Sequence, residues 1–324
     1  MRLRLRLAPL LPLAALLAVG SAWGLGAPLV RMARIDGHSA LSIVAWHSVL
    51  GALVLAAVLL VRGRARLPMG RDDLLLYAAV ATLGIVVPHL AAFVALGHVP
   101  AAVHSIVVSL VPIFALAFSL VLRIERLRLL RLAGVGLGAL AIALMVLPDA
   151  SLPDDAIGAF VLLSLIAPLC YALEGIFVAH RSRSRAGPMQ ALLGGSVLAA
   201  LVVVPVAALR GGIASPLAPW GQAELAVAVA GISGALAYAG YVALLRRAGA
   251  VFGAQVAYVV TVSGVFWAIA LLGETPTAWV WSAMLLLFAG LFMVQPAPRS
   301  VTRVLRPADP SRPETPLPVR NDMR

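Results

Sequence analysis

Glu174 is the one acidic side chain placed well inside a long apolar run, and it is the residue with most to contribute chemically. A carboxylate at such depth in hydrocarbon costs a few kcal/mol on insertion scales, so it faces a polar cavity and has work there. It can take up and release a proton, or pair with a substrate amine. The plainer alternative is a structural ion pair reaching toward His180 and Arg181. Tyr171, three residues earlier, shares the Glu174 face of a helix, and an aromatic ring beside a carboxylate suits a cationic or amino-acid-like ligand. Taken alone, the tyrosine is more simply read as packing.

Further polar groups recur at helical spacing. Tyr238 and Tyr241 share one face and Gln255 and Tyr258 another; their hydroxyl and amide groups need partners in lipid, which turns them toward a bundle interior. His89 follows Pro88, and a proline inside a span frees a backbone carbonyl beside the imidazole. His47 and His104 carry less weight, His104 because it lies near a span end. Glu125 and Glu274 stand between apolar runs and fall on opposite sides of the membrane. They therefore cannot act as a carboxylate pair, and each is read as structural, accepting from the first N–H groups of the following helix. Gly231-Ile232-Ser233-Gly234 matches a serine-hydrolase pattern, but the chemistry needs a base and no histidine follows His180. No metal-ligand motif and no phosphate-binding glycine loop is present, so no cofactor is expected.

The elements that position these residues follow from composition. Of 324 residues 62% are hydrophobic and 12% charged, with a mean hydropathy of +1.02. At about 20 apolar residues per span, that is enough for roughly ten spanning helices and leaves no room for a soluble domain. The net charge of +12 does not signal nucleic acid: all 25 basic residues are arginine, in short clusters between apolar runs. That is a topology pattern rather than a binding stripe. The runs lie near 8–30, 39–61, 73–97, 99–121, 130–147, 157–180, 189–209, 222–245, 250–272 and 276–295. They lack the alternation of a barrel, so they are helices. The first run resembles a signal peptide, but it continues past Ser21-Ala22 to Val30 and is expected to be retained. With both termini in the cytoplasm, 22 of the 25 arginines face inward, the orientation the positive-inside rule selects. The single Cys170 lies in an apolar run and is read as packing. The basic, proline-rich tail over 297–324 is expected to be disordered.

A shift of about 148 positions brings the two halves into register. Trp23-Gly24-Leu25 falls on Tyr171-Ala172-Leu173, Ser48-Val49-Leu50 on Ser196-Val197-Leu198, Val94-Ala95-Leu96 on Val242-Ala243-Leu244, and, after one inserted residue, Glu125 on Glu274. Each copy, 1–147 and 148–296, holds five runs. An odd number sends the second copy through the membrane from the opposite side. The expected fold is an all-α polytopic membrane protein of ten transmembrane helices in two inverted five-helix repeats, the architecture of secondary transporters.

These residues resemble the drug/metabolite transporter superfamily, in its EamA-type ten-helix branch. The resemblance rests on Trp23-Gly24, Pro112-Ile113-Phe114-Ala115 leading to Glu125, the Gly134/Gly136/Gly138 helix and Leu272-Gly273-Glu274, and it covers about 1–296. Arg123-Ile124 replaces the usual glycine before Glu125, and Thr261 stands where the second copy often has proline. The resemblance implies a carrier or exporter of small metabolites in the inner membrane, with a central cavity lined by helices 1, 3, 4, 6, 8 and 9. Glu174, Tyr171, Trp23, His89, Tyr238, Tyr241, Gln255 and Tyr258 are the candidate substrate-binding residues. The expected partners are a small-molecule substrate and lipid, with a possible homodimer seated at Gly134 and Gly138. A hydrolase using Ser233 and a passive channel are the alternatives. Reporter cysteines placed beside Asp154 and beside Arg183 should react with impermeant reagent from opposite faces of the membrane; reaction from one face would break the inverted arrangement.

Overall fold

A computed structural model describes residues 10–64, 66–124, 128–146, 155–180, 182–210, 212–213 and 219–294. The regular structure among them is entirely helical. The ten helices are α1 (Leu10–Gly24 continued by Gly26–Ile35), α2 (Ala40–Val61), α3 (Arg71–Ala79, a π-helical Val80–Val86, then Val87–Ala95), α4 (Ala101–Val108 and Val111–Val121) and α5 (Leu129–Val146). The second half holds α6 (Asp155–Ser164 and Ile166–His180), α7 (Pro188–Leu209), α8 (Gln222–Ala248), α9 (Ala250–Gly253 and Val256–Leu272) and α10 (Ala278–Val294). Eight spans are long and apolar enough to cross a membrane, and Val256–Leu272 and Ala278–Val294 are shorter apolar helices. The tail over 297–324, the residues before Leu10, the acidic stretch around Asp154, and Glu125 lie outside the described residues.

Five of the helices are interrupted, and in four of them, α1, α3, α4 and α6, the interruption has a proline behind it; that of α9 does not. Proline has no N–H, so the carbonyl four residues earlier loses its helical donor. Pro28 deprives Gly24, where α1 breaks; Pro112 deprives Val108, where α4 breaks; Pro168 deprives Ser164, where α6 breaks. Pro88 deprives Gly84, and there the chain does not break but widens into π-helix, with the Val87 amide reaching back to the Thr82 carbonyl. The apolar-run reading treated segments 1, 4 and 6 as continuous; hydropathy is blind to a missing N–H. Around the breaks the chain tightens into three-residue turns, from Ser109 to Ile106, Leu110 to Val107 and Leu165 to Leu162.

The halves are interleaved rather than set side by side. The main helix contacts run across them: α1 with α8 and α9, α2 with α7 and α8, α3 with α6 and α7, α4 with α6 and α9, and α5 with α10. This set maps onto itself when each helix is exchanged for its counterpart five positions on, the contact pattern of a two-fold axis relating inverted copies. Glycines let the backbones close up. A Cβ on Gly134 of α5 would lie 2.8 Å from the Gly290 carbonyl oxygen of α10, and one on Gly290 would lie 2.8 Å from that of Gly134. Gly194 and Gly195 of α7 seat Tyr77 and Val80 of α3, and Gly24 of α1 seats Ser263 and Gly264 of α9. Gly134 and Gly138, read from sequence as a seat for a helix or a dimer partner, are occupied within the chain: Gly138 takes Ile113 and Leu110 of α4.

Gly134→Leu should therefore lower the thermal midpoint in detergent, overpacking of this kind costing about 1–3 kcal/mol. Gly136→Leu, one turn face away with open space at its Cβ, should leave it unchanged.

Candidate functional site

The carboxylate of Glu174 on α6 lies against the widened turn of α3. A Cβ built on Gly84 would sit 2.8 Å from both Oε1 and Oε2 of Glu174, so the acid occupies the room that the missing side chain leaves. Gly84 is also the residue whose carbonyl Pro88 deprives of a donor. The sequence thus places a carboxyl group beside a π-helical stretch of backbone inside the bundle. Tyr171 and Tyr238 lie within electrostatic reach of that carboxylate. Tyr238 also packs edge-on to Trp23, ring centroids 6.4 Å apart, and Trp23 packs on Tyr241 at 5.3 Å. All five side chains keep intermediate exposure despite their depth. α1 can hold Trp23 there because its opposite face is pinned to α9, where Gly20 and Gly24 admit Val259 and Ser263.

Toward the arginine-rich end a cleft of about 380 Å³ opens between α2, α7 and α8, lined by Arg62, Arg64, Pro188, Met189, Gln190 and Arg246. The Tyr238 hydroxyl donates to the Pro188 carbonyl at 3.4 Å, which joins this cleft to the aromatic group. The arrangement is a carboxylate, an aromatic cluster and a water-accessible approach, suited to holding a small molecule that carries a hydrogen-bond donor or positive charge.

The other candidate residues are placed elsewhere. His89 is packed with His47, ring centroids 4.8 Å apart; His89 stacks on Phe93 and His47 meets the same ring edge-on. Their Nδ1 atoms are buried with no hydrogen-bond partner among the described residues. His104 completes a line of imidazoles and meets Ser164 Oγ at 3.1 Å, close to the break in α6. His47 was given little weight because its helix is peripheral in the resembling family; the interleaving brings its ring inward against α3 and against Gly234 of α8. Gln255 stands at the junction of the two pieces of α9, and Tyr258 packs on Phe288 of α10 at 5.4 Å. The structure does not bring these two to Glu174. Ser233 donates to the Ala230 carbonyl of its own helix at 3.3 Å, so its hydroxyl is engaged locally.

Glu274 does not cap the helix that follows it. Its two oxygens accept from the Ala101 and Ala102 amides, at 2.7 and 3.0 Å, at the start of α4 in the other half, and Oε1 pairs with Arg31 Nε at 3.0 Å. The positive end of α4 and a guanidinium together outbid the amides nearer in sequence. Arg31 and Arg34, expected in an outer loop, belong to α1, which runs to Ile35. Arg31 is tolerated there because it also donates to the Leu96 carbonyl at 3.1 Å and to that of Val99. Its donors are spent on protein groups.

The comparisons agree with this geometry. A solved crystal structure of a protein superposes with a TM-score of 0.59 at 20% identity, covering 86% of this chain and 96% of its own, which establishes the shared fold. No curated protein matches the chain. The model of the EamA-like transporter family matches twice, over residues 10–147 and 158–295, one match for each five-helix half. The chain is a multi-pass membrane protein and belongs to the EamA-like transporter family, whose members are transporters rather than enzymes.

Proposed function

We propose that this chain is a secondary carrier that exports small amine, amino-acid-like or drug-like compounds from the cytoplasm, with Glu174 and the Trp23–Tyr238–Tyr241 cluster forming the substrate site. The observation that carries the reading is the Glu174 carboxylate held against Gly84, within electrostatic reach of Tyr171 and of Tyr238, which packs edge-on to Trp23. The carboxyl group exchanges a proton for the substrate, so the proton gradient drives transport. Inverted halves expose the same site to either side in turn. Phosphorylated substrates are disfavoured, because the half-buried Arg31 already gives its Nε to Glu274 and its Nη1 to two carbonyls. The arginine-rich end faces the cytoplasm of a bacterial inner membrane, with both termini on that side.

The test is a panel of amines, amino acids and uncharged metabolites in proteoliposomes, with and without an imposed pH gradient. A saturable, gradient-driven flux with counterflow is expected, and Glu174→Gln should abolish the dependence on the gradient. Normal, gradient-dependent flux in Glu174→Gln would remove the carboxylate from the mechanism, and flux without counterflow would indicate a channel. Gly84→Ala should raise the KM for the transported compound about tenfold, since the methyl group meets both carboxylate oxygens. Gly175→Ala, one residue from the acid but with open space at its Cβ, should leave KM unchanged.

A further inference from the structure

Two carboxylates at opposite ends of the molecule are used in the same way. Asp73 lies in the first turn of α3 and Glu224 in the first turn of α8, the counterpart helix of the other half. One oxygen of each caps its own helix: Asp73 Oδ2 accepts from the Gly70 amide at 3.0 Å, and Glu224 Oε2 from the Gly221 amide at 2.8 Å. The second oxygen of each crosses to the first loop of the opposite half. Asp73 Oδ1 accepts from Ser184 Oγ at 2.6 Å and from the Arg185 amide at 2.9 Å, in the loop between α6 and α7. Glu224 Oε1 meets His38 Nε2 at 3.2 Å, in the equivalent loop between α1 and α2. Each carboxylate stands three residues after the glycine that starts its helix, and each partner lies in the equivalent loop, although the 148-position shift puts Asp73 on Gly221 and His38 on Ala186 rather than contact residue on contact residue. They differ in chemistry: one is a hydroxyl and an amide, the other an imidazole.

Each contact ties the two halves together at one end only. Asp73 does so at the arginine-rich end, where Gln190 adds a second tie to the Arg66 carbonyl, and Glu224 at the arginine-poor end, where Glu274 adds one through Arg31, Ala101 and Ala102. Rocking one half against the other to open an end must pull α3 from the α6–α7 loop, or α8 from the α1–α2 loop. Neither can happen while its carboxylate bridges them. We propose that Asp73 and Glu224 are a pair of gate-holding residues, Asp73 closing the arginine-rich end and Glu224 the arginine-poor end, released in alternation during transport. This rests on the carrier reading above, since a fixed pore needs no alternating ties.

Substitution by the isosteric amide weakens the crossing, because a carboxamide that keeps its oxygen on the helix cap turns an uncharged N–H donor to the other half, which the Arg185 amide cannot accept and which takes the charge away from His38. The experiment uses the full chain with Cys170→Ala and spin-label pairs on exposed positions: Asp72→Cys with Arg183→Cys at one end, Ile35→Cys with Leu225→Cys at the other. Pulsed dipolar distances are measured without any substrate. Asp73→Asn should raise the long-distance population of the 72/183 pair about fivefold and leave the 35/225 pair unchanged. Glu224→Gln should do the reverse. His38→Ala and Ser184→Ala spare both helix caps, so they should move the same pairs in the same sense even where an amide variant unfolds. Unmoved distances in all four variants, or both pairs moving together, would overturn the proposal. Were the carrier reading itself wrong, counterflow would be missing for every compound, whatever the distances do; were only the gates wrong, counterflow would persist with the distances fixed.

Discussion

Helices inside a bilayer gain nothing by hiding apolar surface from one another, because lipid tails are as apolar as leucine. What joins two five-helix halves is then close backbone approach and a small number of polar ties. Gly134 on Gly290, Gly24 on Ser263 and Gly264, and Gly194 and Gly195 on Tyr77 and Val80 all lie between helices of different halves. Because these contacts obey the two-fold relation, closing any one of them commits its counterpart. The interleaved packing is the constraint from which the site follows.

Interleaving sets α6 of the second half beside α3 of the first, and α8 beside α1. The first contact delivers Glu174 to Gly84, and the second delivers Tyr238 and Tyr241 to Trp23. Neither half alone holds more than part of the site. The prolines add the polar character that a transport path requires. Pro28, Pro88, Pro112 and Pro168 each leave a carbonyl without its helical donor, and such backbone is tolerated in a membrane only where protein or interior water supplies a partner. Charged ties sit at the two ends, and between them close packing is joined by hydroxyl contacts such as that of Ser263 with the Gly20 carbonyl.

The fold was legible in the sequence because its signals add over many residues: twenty-odd apolar positions per span, arginines repeated at one set of loops, and a register shift sustained through four helices. Glu174 was legible because one acid in a long apolar run has few explanations. Its partner was not, since Gly84 carries no side chain to advertise a role and the contact spans ninety residues. The aromatic grouping was half visible: Tyr238 and Tyr241 share a helical face, but that Trp23 meets them depends on which helices touch. Gln255 and Tyr258 share a face as well, and packing took that face to the α9 junction and to Phe288 instead. Arg31 was misplaced because a loop assignment made from hydropathy cannot foresee Glu274 arriving from the other half to balance the charge. His47 was undervalued for the same reason. The missing prolyl N–H groups, by contrast, were present in the sequence as a four-residue rule for every interruption of α1, α3, α4 and α6.

The central claim is that a pocket between inverted halves, centred on Glu174, is reached from both sides of the membrane in turn. The most direct measurement replaces Glu174 with cysteine in a Cys170→Ala background and follows its modification by a membrane-impermeant cationic thiol reagent, in vesicles of each orientation. Reaction from both faces, each slowed when the opposite end is held open, is the predicted result. Reaction from one face only, or only with a lipid-soluble reagent, would contradict it.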